Sequence, residues 1–572
     1  YARHPSNILV MTFTNAAAVE MHQRFVQLAG NLGSGVTFGT FHSIFFRILK
    51  FAYNYSASNI ISEDKRIAYM KEIVTALRME AEDEAEFVLS ILNEISSIKN
   101  DRIDLNHYYA KNCSEDNFKK LYFSYEDRLR QENFIDFDDM LRMTYELLTA
   151  RKDILSLWQQ KYQYILIDEF QDINRVQYDV IRLLAAPNNN LFVVGDDDQS
   201  IYRFRGAKPE IMLGFEKDYK DAIRILLDTN YRSTQNIVEA AAQLIKNNKA
   251  RFDKEIKASH KKGPDIVIKE WDNPAVQNEK IITVIRQHLK KGGAYKDIAI
   301  LFRTNTGARS VVEKLMEYNI PFQIRDSLPN IFDHWIAKSI FSYMRMAHGD
   351  RSRATVLSVI NRPNRFIGRE CLNTSEIYFD AIKEYYKEKD WMVERLEKLE
   401  YDLRMLKRMA PYAAINYIRH GVGYEEYLVD YATSRRMKPE ELIEVLDALQ
   451  ESAKDFETME DWFEHIAAYT EELKQQAARR NQVEDAVSLS TMHSVKGLEY
   501  EMVLIPDVNE GVIPHHKAVL DADIEEERRL FYVAVTRAKK YLGIFSTKER
   551  YSKAQDPSRF MKEIRERAPQ KK

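Results

Sequence analysis

At 572 residues and 45% hydrophobic, the chain is too long for one core and must divide into several domains. Charged residues make up 30%, Gly and Pro are few (18 and 14), and Tyr and Phe are plentiful (32 and 28), the profile of a soluble, helix-rich α/β protein with little disorder. Lys and Arg number 84 against 87 Asp and Glu, and a net charge of −3 neither points to nucleic acid nor excludes it, because a basic groove can sit inside a balanced chain.

The two cysteines, Cys113 and Cys371, lie far apart without a CxxC pair, which excludes a disulfide framework and a Cys-rich zinc site and fits a reducing cytoplasm. No apolar run approaches the ~20 residues of a membrane helix, and no secretory signal is present.

In chain order, NILVMTF (7–13) reads as a buried strand and TNAAAVEMHQRF as the helix after it. VTFGTFHSIFFRIL (36–49) reads as a short strand, a turn at Gly39 and a helix. The charged stretch that follows reads as a helical insertion. Strand patterns return at YILIDEF (164–170), NLFVVGD (190–196) and AIRILLD (222–228). A second region repeats the plan, with DIVIKEW (265–271) and DIAILFR (297–303), a long charged helical stretch, then DAVSLST (485–491), MVLIPDV (502–508) and YLGIFST (541–547). Apolar runs alternating with helices imply doubly wound parallel sheets. The expected division is 1–50 and 136–227 for a first α/β domain with an insertion at 51–135, and 228–334 and 484–572 for a second with an insertion at 335–483.

The chemistry-bearing clusters are each ambiguous alone. In ILIDEFQD, Asp168 at a strand tip can hold Mg²⁺ and Glu169 can orient or deprotonate a water, yet acidic residues follow strands in many loops. In VVGDDDQSIYRFRGA (193–207), three aspartates and Gln199 would sit beside Asp168, and the alternation of Tyr202, Arg203, Phe204 and Arg205 suits base stacking and phosphate contact, or an ordinary amphipathic turn. Tyr231 and Arg232 in LLDTNYRST could stack a base and hold a phosphate, or form a surface pair. STMHSVKGLEYEMVLIPDV carries Lys496, Gly497 and Glu499, and EEERRLFYVAVTRAKKYLGIF carries Arg537, which fits an arginine finger or a charged helix face. His42 and His493, taken singly, fit structural roles better. HGVGYEEY (420–427) fits a helix connection better than a duplex contact.

The order of the motifs carries more than any one of them. TFTNAAAVEM, TFHS, FIDFDDM, LIDEFQD, GDDDQSIYRFRGA, NYRS, LFRTN, TMHSVKGLEY and EEERRLFYVAVTRAK together resemble the UvrD/Rep/PcrA family of superfamily 1 DNA helicases over nearly the whole chain. The resemblance implies two RecA-like P-loop NTPase motor domains, each with a mostly helical inserted subdomain. It implies a 3′-to-5′ translocase that uses ATP and Mg²⁺ to separate duplex DNA, in repair or replication. Asp168 then matches the magnesium ligand, Glu169 the catalytic base and Gln199 the γ-phosphate sensor. Tyr231 matches the adenine-stacking tyrosine, Arg232 and Arg537 the arginine fingers, and Gly497 and Glu499 the nucleotide-binding loop, with Glu499 near the ribose. Phe13, Asn15, His42, Tyr202, Phe204, Arg205 and His493 fall where the family touches DNA. Single-stranded DNA and its junctions with duplex are the implied partners, without a membrane; accessory repair or replication proteins and self-association are compatible with them.

Three departures stand out. Phe204 stands where family members often carry Trp, and Ala16 where many carry Lys. No GxxxxGKS/T phosphate loop occurs in the sequence, which opens YARHPSNILVMTFT without Met; the loop and the first strand are expected upstream of Tyr1, and these 572 residues are expected to hydrolyse ATP poorly. A helicase–nuclease motor subunit and a non-catalytic DNA-binding paralogue are the alternatives. The first lacks room for a further metal site after YLGIFST, and the second has no use for Asp168, Glu169, Gln199, Arg232 and Arg537.

Overall fold

The computed structural model describes residues 4–30, 35–79, 84–326, 330–435, 437–478 and 484–565. The apolar runs of the first region become β1 (Ile8–Thr12), β2 (Thr37–Thr40), β3 (Tyr164–Ile167) and β4 (Leu191–Val193), in a wholly parallel sheet of order β2-β1-β3-β4. Parallel strands need both faces covered. Leu9, Met11, Ile165 and Ile167 are accordingly sealed by the helices Phe41–Ala52, Phe137–Ala150 and Arg175–Ala185.

Gly39 does not turn the chain. It lies inside β2, where a Cβ would come within 2.6 Å of the Ser43 hydroxyl. The helix starts directly at Phe41, with Thr40 Oγ1 accepting from the Ser43 NH at 3.2 Å as its N-cap.

Helices Glu63–Ala76, Glu84–Asp101 and Glu115–Gln131 form a separate core around Met70, Ile91, Leu121 and Tyr125. The chain leaves and re-enters side by side, with Ile61 N bonded to Ile135 O at 3.0 Å and Ile135 N to Asn59 O at 2.8 Å. Lys99, fully buried on the second of these helices, crosses to Asp136 (2.8 Å) and Asp139 (2.9 Å) at the start of Phe137–Ala150, and to Glu126 (2.6 Å).

The run AIRILLD is not a strand. Residues 222–228 pass through extended coil outside the sheet, with Ile223, Ile225 and Leu227 exposed. Phe192 and Val194, at the tip of the outer strand β4, are exposed as well. Among the described residues the segment makes one backbone bond to a strand, from Lys257 N to Asp228 O at 2.7 Å, and no ladder.

Beyond it, β5 (Thr229–Asn230) and β6 (Lys257–Ala258) form a short parallel pair. Six parallel strands follow, β7 (Val267–Trp271), β8 (Ile298–Phe302), β9 (Phe322–Ile324), β10 (Val487–Thr491), β11 (Tyr500–Ile505) and β12 (Ala538–Thr547), in the order β7-β12-β11-β8-β10-β9. Between β9 and β10 the chain is helical, and HGVGYEEY is a helix connection there, from Pro411–His420 into Tyr424–Ser434. The fold is α/β, with two RecA-like sheets and a mostly helical excursion from each. No helix among the described residues is long and apolar enough to cross a membrane.

Candidate active site and nucleic-acid interface

β3 runs directly into Asp168, whose NH bonds Met11 O at 2.9 Å. The next residue, Glu169, takes a left-handed conformation (φ 53°) that non-glycine residues rarely adopt, and this turns its carboxylate back toward the strand tips. Gln171, wholly buried, fixes that turn. Its Nε2 donates to Glu169 Oε2 at 2.5 Å, and its Oε1 accepts from the Asp196 NH at 3.0 Å, tying the tip of β3 to that of β4. The backbones come so close that a Cβ on Gly195 would lie 2.4 Å from Gln171 Oε1. Burial, then the Glu169 charge, raises the Asp168 pKa. Two adjacent carboxylates at a strand tip suit a hard divalent cation such as Mg²⁺, and Asp168 is the residue that would hold it.

From the second sheet come the cations. Asn230 Oδ1 accepts from the NH groups of Arg232 and Ser233, both at 2.9 Å, and the Ser233 hydroxyl donates to Ala538 O at 2.6 Å. This pins the Arg232 turn against the start of β12, beside Arg537. Arg537 is 1% exposed, donates to Val533 O (2.9 Å) and Leu498 O (3.3 Å), and reaches across to Gln199 Oε1 at 3.3 Å. Burial and then the Arg232 charge lower its pKa to about 10. Arg232 itself donates to Glu499 at 2.8 Å, and Lys539 pairs with the other oxygen of that carboxylate at 2.6 Å, which holds the Glu499 pKa low. Gly497 lies in the preceding turn (φ 83°), and the Tyr231 ring is open to solvent. The structure thus gathers Glu169, Gln199, Arg232, Glu499 and Arg537 around one cleft between the sheets.

On a second face the aromatic residues form a continuous chain. Phe13 and Tyr202 stack with centroids 5.3 Å apart and planes 5° from parallel; Tyr202 meets Phe204 at 6.1 Å, and Phe204 meets the His493 ring edge-on at 5.2 Å. Arg205 lies over both Tyr202 (5.3 Å) and Phe204 (5.4 Å). The chain begins beside β1 and ends on the loop after β10, so it joins the two folds. His42 instead packs edge-on against Phe137 at 5.4 Å, and Asn15 opens the exposed start of the helix Asn15–Ala29, next to its cap Thr14. Burial lowers the pKa of His42; burial and then Arg303 and Arg205 lower that of His493, to about 4.

The three aspartates after β4 are engaged by cations of their own. Lys254 reaches Asp196 (2.5 Å), Asp197 (2.5 Å) and Asp198 (3.1 Å), and Arg251 forks onto Asp198 at 2.9 and 2.8 Å. The sequence signals the acids in DDDQ, but RFDKE, more than 50 residues on, gives no sign that it answers them. Lys496 is the other residue whose importance its motif hides. Its Nζ bonds Asp172, Glu169 (3.2 Å) and the Gln199 carbonyl (3.0 Å) across the cleft.

Two RecA-like folds, facing each other across a cleft lined by carboxylates on one side and arginines on the other, define a two-motor protein of the P-loop NTPase class. Residues 2–220 match the UvrD/REP helicase N-terminal domain and residues 225–549 the UvrD-like helicase C-terminal domain. YjcD of Bacillus subtilis, named as an ATP-dependent DNA helicase, is 32% identical over 591 residues, spanning 99% of this chain and 76% of that protein. The ATP-dependent DNA helicase PcrA of Staphylococcus aureus is 31% identical over 600 residues, spanning 98% and 80%. The chain belongs to the UvrD/Rep family of DNA helicases.

Proposed function

We propose that the protein is a 3′-to-5′ translocase that uses ATP and Mg²⁺ to unwind DNA at junctions of single strand and duplex, in cytoplasmic repair or replication. The observation that carries this reading is the pairing of two continuous structures on the same two folds. A polar cleft holds Gln199 against Arg537, and an aromatic chain runs from Phe13 to His493. Closure of the first therefore moves the second.

In this reading Asp168 holds Mg²⁺, which supplies charge neutralisation at the phosphates. Glu169 takes a proton from the attacking water, Gln199 senses the γ-phosphate, and Arg232 and Arg537 neutralise the charge that develops on it. Tyr231 stacks adenine, and Gly497 and Glu499 border the ribose. Phe13, Asn15, His42, Tyr202, Phe204, Arg205 and His493 line the strand's path. The 5.3 Å between Phe13 and Tyr202 is too short for a base, since two stacked layers need about 7 Å, so a base must part the rings.

The test is DNA-stimulated ATPase of this chain beside one extended by its native upstream sequence, with unwinding of duplexes bearing a 3′ or a 5′ tail. Turnover and 3′-tail unwinding by the extended protein are expected. Absence of DNA-stimulated turnover in both makes it a non-catalytic DNA-binding paralogue; 5′-tail preference overturns the polarity.

A further inference from the structure

Lys496 belongs to the second fold, in the turn between β10 and β11, yet the groups its ammonium bonds belong to the first. An ammonium has three donors. Here Asp172 Oδ2, Glu169 Oε2 at 3.2 Å and the Gln199 carbonyl at 3.0 Å take all three, leaving none for a phosphate. The same nitrogen lies 5.4 Å from the centroid of the Tyr202 ring, the ring that stacks on Phe13. The lysine side chain is 8% exposed. It therefore touches the carboxylate assigned to the attacking water and the aromatic assigned to the strand at once.

The contacts are unequal. Asp172 is buried, its pKa is raised to about 6 by burial against the pull of Lys496, and its Oδ1 has no hydrogen-bond partner. It needs the lysine. Glu169 is less buried, sits further from the ammonium, and has Gln171 as a close second donor to the same oxygen, at 2.5 Å against 3.4 Å for the Gln171 bond to Asp172 Oδ2. The Glu169 contact is the one that can break while Asp172 keeps the side chain tethered.

We propose that Lys496 is a positioning residue that couples strand binding to hydrolysis: without DNA it occupies Glu169, and a base entering at Phe13 and Tyr202 displaces the tyrosine and the lysine together, freeing that carboxylate. This rests on the reading of Glu169 as the base.

The experiment measures ATP turnover of the full-length protein, with and without oligo(dT), for K496M, K496R and the charge-balanced double variant D172N/K496M. DNA-free turnover is expected to rise about tenfold in K496M, the scale of one charged hydrogen bond. The stimulation ratio should fall toward one, K496R should keep the native ratio, and oligo(dT) affinity should stay close to native. If K496M fails to fold, the double variant, which strands no buried charge, gives the reading. A native stimulation ratio in whichever of the two folds overturns the proposal. E169Q measured alongside separates the failures: normal turnover there removes the base assignment and the coupling with it, whereas lost turnover in E169Q with a native ratio in the lysine variant removes the coupling alone.

Discussion

Arg537 is a cation almost wholly out of water, held by two backbone carbonyls and aimed at a neutral amide. Its pKa, lowered to about 10 by burial and the neighbouring Arg232, marks a site short of negative charge. An incoming phosphate would supply that charge, which is why its replacement should damage turnover more than binding. R537A in the full-length protein is expected to cut turnover by at least about 1,000-fold while nucleotide binding survives; unchanged turnover would sink the assignment. His493 makes a different prediction. Its ordinary value of 6.5 falls to about 4 in the fold, so the unfolded chain binds the extra proton between those values. Stability from this group is complete above pH 6.5 and is lost as pH falls toward 4, by up to about 1.4 kcal/mol per pH unit. Urea midpoints of wild type and H493Q should diverge over that window, and parallel curves would show that the ring is not held neutral. At this scale the motifs made the reactive residues legible, because each family motif names its own side chains. They left the partners hidden: Gln171, Lys254 and Lys496 act through contacts to distant segments that no local pattern encodes.

Among the elements, a buried charge cluster lies at the join between the first helical excursion and its motor. Lys99 stays protonated because Asp136, Asp139 and Glu126 outweigh the cost of burial. Removing one partner of a buried pair leaves charge uncompensated. K99M is expected to lower stability by about 3–5 kcal/mol in thermal or urea unfolding, and a loss under 1 kcal/mol would mean that water reaches the cluster. The strands were legible where short apolar runs end in a motif, as in β1, β3, β8 and β11, since a doubly covered parallel strand has to be apolar throughout. AIRILLD has the same pattern but forms no strand ladder among the described residues. Phe322–Ile324 went unread for the opposite reason: as an outer strand of three residues it is too short to show a period.

Across the whole molecule, the contacts between the two motors differ in strength from place to place. At the tip of β4, Lys254 and Arg251 make a nearly dry cluster with Asp196, Asp197 and Asp198, and the Phe252 NH adds a bond to Asp197 at 2.9 Å. Buried pairs of this kind are poorly screened by salt. Across the cleft, Lys496 makes a buried pair with Asp172, whereas the Arg537 to Gln199 bond is long, at 3.3 Å, and ends on a neutral acceptor, and the Lys496 to Glu169 contact is 3.2 Å. The aromatic chain adds stacking that a base can replace. A rotation of one motor on the other should therefore pivot near the aspartates, with Asp172 keeping its lysine, and open at the Arg537–Gln199 and Lys496–Glu169 contacts and at the rings. With Cys113 and Cys371 changed to Ser and dyes placed at S156C and K290C, single-molecule distance distributions are expected to be narrow for the native pivot. Nucleotide and oligo(dT) should shift the distribution as one population. R251M/K254M should broaden it in every ligand state, because the axis itself is lost. An unchanged width in that variant would move the pivot away from the aspartates and leave the linker at 222–228 to define it.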